Sequence, residues 1–318
     1  MGRAFVFPGQ GSQAVGMGRE LAEAFGPARL VFEEVDDALS QRLSRLMFEG
    51  PESDLTLTEN AQPALMAVSL AVVRVLEQEG GVALDEAASC VAGHSLGEYS
   101  ALAAAGSLAL ADAARLLKRR GQAMQEAVPV GEGAMAAILG LDLDVVAQVA
   151  EDAAAAAEAD PEVCAPANDN APGQVVVSGH EAAVERAIVL AKEQGAKRGL
   201  RLPVSAPFHC SLMAPAADVM AEALAEITIA PPRLPLVANV TAAAVTEPET
   251  IRRLLIEQVT AMVRWRESVV AMRESGVHSL VELGAGKVLA GLARRIDRDL
   301  DATAVGAPDE VEALLKSL

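Results

Sequence analysis

The chain has 318 residues, enough for two domains of ordinary size or one large α/β domain. At 52% hydrophobic and 22% charged residues it has the composition of a folded globular protein, which excludes a disordered or low-complexity one. A net charge of −18 opposes non-specific binding to nucleic acid or to an anionic membrane, because both need a basic face.

Residues 3–7 predict a short buried strand running into the turn Pro8-Gly9-Gln10-Gly11-Ser12-Gln13. Apolar positions recur at helical spacing over 60–79, a buried strand is expected over 88–92, and helices follow over 96–105 and 111–127. That alternation predicts a mostly parallel sheet. From Gly131 the rhythm becomes strand 134–140, helix 144–158, strands 163–168 and 174–179, helix 181–195 and strand 199–204. This βαββαβ order is that of a ferredoxin-like unit. Beyond Ser205 come a helix over 211–225, a strand over 234–240, helices over 249–275, a strand over 277–283 and a closing helix from Lys287. The predicted domains are therefore a large α/β domain of residues 1–130 and 205–318 and an inserted small ferredoxin-like domain of residues 131–204. No apolar run reaches the ~18–20 residues of a membrane span, and the N-terminal apolar run is too short for a signal peptide, so a cytoplasmic protein is expected. Cys90, Cys164 and Cys210 include no close pair, so neither a disulfide framework nor a Cys-x-x-Cys metal site is expected.

Gly93-His94-Ser95-Leu96-Gly97 is a G-x-S-x-G between a predicted strand and a predicted helix, the context of a nucleophile elbow, and makes the large domain α/β-hydrolase-like. The glycines allow the sharp turn that exposes the Ser95 hydroxyl, and the following helix aims its first amides at a developing oxyanion. A serine nucleophile needs a base. Of the remaining histidines, His180 and His278 read as surface residues, and His94 precedes the nucleophile and should point away. His209 follows the strand exit through Ala206-Pro207-Phe208, where α/β sites collect, and is the favoured base. On the 111–127 helix Arg120 falls on the apolar side, so it must meet a carboxylate from the protein or from a ligand. Periodicity leaves an internal ion pair and a substrate clamp equally open. Gly9-Gln10-Gly11-Ser12-Gln13-Ala14 also fits a dinucleotide fingerprint, but Glu33 and Glu34 fall in a helix where a second strand should end. An oxyanion-loop role for Gln10 explains both loops together.

Phe7-Pro8-Gly9-Gln10-Gly11-Ser12-Gln13, Gly93-His94-Ser95-Leu96-Gly97-Glu98-Tyr99, Arg120-Gly121-Gln122-Ala123-Met124, Asn168 with Pro172-Gly173-Gln174, and Pro207-Phe208-His209-Cys210 together resemble the malonyl-CoA:acyl-carrier-protein transacylase family. The resemblance implies a ping-pong acyltransferase. Malonyl-CoA acylates Ser95, and the phosphopantetheine thiol of acyl carrier protein takes the malonyl group for fatty-acid synthesis. The resemblance makes His209 the base, Arg120 the carboxylate ligand and Gln10 with Leu96 the oxyanion amides. It makes Gln258 a backbone carbonyl that orients the histidine, and it adds Met124, Asn168 and Phe208 to the substrate site, Phe208 as a malonyl-selecting residue. No metal and no resident cofactor are expected; the partners are malonyl-CoA and acyl carrier protein, and the chain is expected to be a monomer. The alternatives are an acyltransferase serving a polyketide synthase and a serine thioesterase or esterase. The family's Asn-Pro-Val-x-Trp stands here as Ala261-Met262-Val263-Arg264-Trp265, and its Gly-Pro-Gly as Gly284-Ala285-Gly286. Lys192, Lys197, Arg198, Arg201, Arg264 and Arg266 form the candidate basic patch for an acidic carrier.

Overall fold

The computed structural model describes residues 2–157, 161–204 and 206–318. Its strands are β1 (Arg3–Phe7), β2 (Cys90–Gly93), β3 (Gly133–Leu139), β4 (Cys164–Ala171), β5 (Gln174–His180), β6 (Arg198–Arg201), β7 (Leu236–Ala238), β8 (Ala243–Val245), β9 (Ser279–Leu283) and β10 (Asp301–Val305). The larger sheet has the order β10-β9-β1-β2-β7-β8, parallel except for the β7–β8 pair. Its central strand β1 is apolar at every position from Ala4 to Phe7 because both of its faces are covered. Phe5 and Phe7 enter one apolar cluster, and Ala4 and Val6 enter the other.

The second sheet, β4-β5-β3-β6, is antiparallel and lies in the chain between β2 and β7. Its order is the ferredoxin-like one. Helices Leu143–Ala155 and Glu181–Glu193 cover one face through Ala134, Ala136 and Ile138. Met135, Ala167 and Val176 join the apolar core of the larger sheet. Three contacts bind this sheet to the large one near the elbow. Asn168 bridges Val263, His94 Nε2 lies 2.9 Å from Asn170 Oδ1, and Arg266 pairs with the buried Asp169 at 2.8 Å.

Several expected boundaries move. The helix expected over 144–158 is Leu143–Ala155, and residues 158–160 lie outside the described residues. So does Ser205, where the large domain was expected to resume. The strand expected over 199–204 ends at Arg201, since Pro203 has no N–H to pair. The helix after Lys287 does not close the chain: Val288–Ile296 is followed by β10 and a helix Pro308–Ser317. Among the described residues no helix is long and apolar enough to cross a membrane.

Candidate active site

The carboxyl ends of β1 and β2 open on one edge of the large sheet, and the two glycine loops leave from there. The elbow glycines are fixed by space. A Cβ on Gly93 would lie 1.9 Å from the Gly97 carbonyl carbon, and one on Gly97 would lie 2.3 Å from Phe7 O. Ser95 therefore sits on a tight turn with φ of 54°, at the start of helix Gly97–Ala104. Among the described residues no acceptor binds the amides of Gln10 or Leu96, which leaves both free for an oxyanion.

Ser95 Oγ lies 2.8 Å from His209 Nε2, and His209 Nδ1 lies 2.9 Å from the Gln258 carbonyl oxygen. A carbonyl only accepts, so Nδ1 carries the proton and Nε2 is left as the acceptor. Arg120 Nη2 donates to Ser95 Oγ at 3.1 Å, which turns the hydroxyl proton toward Nε2. Burial, with the Arg120 charge second, pushes His209 down to about 3 and keeps the ring neutral.

Arg120 is 1% exposed, on helix Leu110–Glu126, and its ring neighbour is Tyr99 at 5.7 Å. It also donates to Gln62 Oε1 at 2.8 Å and to Gln258 Oε1 at 2.9 Å. Among the described residues no carboxylate lies within ion-pair distance of it, and its Nε has no partner. The internal ion pair left open by periodicity is absent from this part of the structure.

These groups line a cleft of about 540 Å³ between the two sheets. Met124, Asn168 and Phe208 line it with Gln10, and so do Met135 and Leu202, which periodicity placed only in strands. Cys210 is buried beside His209 and donates to Pro207 O, the role of a small core residue. His180 accepts from Val163 N at 2.8 Å and His278 is exposed, so neither reaches the serine. Glu33 and Glu34 lie in helix Gly26–Leu39, which removes the dinucleotide reading.

Residues 4–306 match the family model described as acyl transferase domain. A malonyl CoA-acyl carrier protein transacylase of Escherichia coli (strain K12) is 48% identical over 313 residues, 98% of each chain. The acyl-carrier-protein-S-malonyltransferase of Bartonella henselae superposes with a TM-score of 0.96 at 55% identity, covering 100% of this chain and 99% of that one. A type II PKS acyl-carrier protein in complex with its malonyl-transacylase gives 0.95 at 44%, with 100% of both chains covered. The chain belongs to the malonyl-CoA:acyl-carrier-protein transacylase family.

The two departures from the family pattern leave the Ser95–His209 contact in place. Val263 pairs with β4 through Asp169 N and Ala167 O, and Trp265 is fully buried against His94. Gly284 N donates to Val305 O at 3.0 Å and anchors the loop around Ala285. Three buried polar residues of this transacylase were not foreseen. Gln62 holds Arg120; Asn239 accepts from Ser95 N at 2.8 Å and donates to Gly93 O at 2.7 Å; Glu98 accepts from Asn239 N at 2.7 Å. Burial pushes the Glu98 carboxyl up to about 8, against the smaller opposing effects of its N–H donors and Arg120.

Proposed function

We propose that the chain moves malonyl from malonyl-CoA through an acyl-Ser95 to the phosphopantetheine thiol of acyl carrier protein, supplying fatty-acid synthesis. His209 Nε2 takes the Ser95 proton as Oγ attacks the thioester carbonyl. The Gln10 and Leu96 amides receive the oxyanion. Collapse expels CoA, which leaves as the thiol with the proton from His209. The carrier thiol then gives its proton to His209 and attacks the acyl-serine; collapse breaks the bond between Ser95 Oγ and the acyl carbon, and the serine leaves as the hydroxyl with the proton returned by His209. CoA and phosphopantetheine arrive with the substrates, so this chemistry needs no resident cofactor. Free buried thiols support a cytoplasmic setting.

The observation that carries the malonyl assignment is the buried Arg120 without a carboxylate partner among the described residues. A malonyl carboxylate supplies a charge-assisted partner, and an acetyl group leaves the guanidinium unpaired. An esterase acting on neutral acyl groups would have no use for this cation. The likeness to a transacylase of a type II PKS carrier supports a polyketide carrier as the second reading, and transfer to carriers of both kinds compared side by side distinguishes them. The malonyl assignment is tested with Arg120→Gln. The variant should lose malonyl transfer by roughly 100-fold or more and lower the malonyl-to-acetyl ratio of kcat/KM. An unchanged ratio with a lowered melting temperature would make Arg120 a structural residue only.

A further inference from the structure

Behind the reacting serine lies a buried acid that touches neither Ser95 Oγ nor His209. Glu98 is 1% exposed, on the first turn of helix Gly97–Ala104. Its Oε1 accepts from Asn239 N at 2.7 Å, and its Oε2 accepts from Gln258 Nε2, which also donates to Ser95 O at 3.0 Å and to Asn239 Oδ1 at 3.3 Å. The other end of that carboxamide, Gln258 Oε1, accepts from Arg120 Nη2 at 2.9 Å. A carboxamide has a donor end and an acceptor end of nearly equal shape, so its neighbours decide which way it faces.

We propose that Glu98 is a positioning residue for acyl specificity: by accepting from both Asn239 and Gln258 it orients the Gln258 carboxamide, which holds Arg120 where an acyl carboxylate can meet it. A carboxamide in its place does not do the same. A glutamine at position 98 offers one acceptor and one donor, so it opposes a donor either to Asn239 N–H or to Gln258 Nε2. Turning Gln258 over to relieve the second conflict sets Nε2 against Arg120 Nη2, donor against donor. This inference rests on the malonyl reading above.

The test compares kcat/KM for malonyl-CoA and acetyl-CoA in the wild type, Glu98→Gln, Gln258→Met and the double variant. Gln258→Met removes the carboxamide and keeps the backbone carbonyl that meets His209. Each single variant should lower the malonyl-to-acetyl ratio roughly 10- to 100-fold, and the double variant should lose no more than the singles. A purely structural Glu98 would lower the melting temperature and slow both acyl groups alike. An unchanged ratio in Glu98→Gln, or losses that multiply in the double variant, would overturn the relay. Should Glu98→Gln fail to fold, an unchanged ratio in Gln258→Met overturns it equally. A wild-type ratio near one would instead overturn the malonyl reading itself.

Discussion

Ser95 and His209, the two groups proposed to exchange a proton, both hang from backbone that L-residues seldom adopt, with φ of 54° and 59°. Their surroundings over-determine both positions: the Ser95 amide is held by Asn239 and the His209 ring by the Gln258 carbonyl. The same burial sets the pH behaviour. A base with its pKa pushed down from 6.5 to about 3 stays unprotonated above that value. Acylation of Ser95 by malonyl-CoA, followed in stopped flow, should therefore stay level as pH falls through 6.5. An acid limb centred at the ordinary imidazole value would contradict a buried neutral His209. Stability, unlike acylation, changes over this range. The unfolded chain binds the proton that the folded ring refuses, so this contribution is complete above about 6.5 and declines as pH falls toward about 3.

At the scale of elements, the parts legible in the sequence are those whose cause is local. Gly93 and Gly97 mark the elbow because a turn that tight forbids a Cβ, and the inward Arg120 follows from helical period alone. The 21-residue helix Thr58–Gln78 was legible from the same period, and Gln62 on its buried face carried a signal of the kind that revealed Arg120. Glu98 carried none. An acid in the first turn of a helix is the ordinary partner of the helix dipole, and only the approach of Asn239 and Gln258 from distant segments makes it something else. β8 and β10 escaped because short edge strands are held by pairing with β7 and β9 more than by their own pattern. Residues 202–204 read as strand, yet Pro203 ends the pairing and turns that segment into a wall of the cleft.

Over the whole molecule, the proposed function asks an enzyme of charge −18 to receive a carrier expected to be acidic. Of the six candidate cations, Arg201 pairs with Glu181 and Glu185, Arg264 with Glu267, and Arg266 with Asp169. Lys192, Lys197 and Arg198 are exposed and lack such a pair among the described residues. Lys197→Glu combined with Arg198→Glu should raise the carrier KM roughly threefold to tenfold and leave acylation by malonyl-CoA unchanged. Steady-state transfer with varied carrier checks this, and equal damage to both half-reactions would move the docking surface elsewhere. The central claim, a malonyl group carried on Ser95, is tested most directly by the intact mass of the protein mixed with malonyl-CoA in the absence of carrier. The wild type should gain the mass of one malonyl group and lose it when phosphopantetheinylated carrier is added, and Ser95→Ala should gain nothing. A malonyl adduct that forms on the Ser95→Ala protein, or a wild type that turns over without ever holding one, would contradict it.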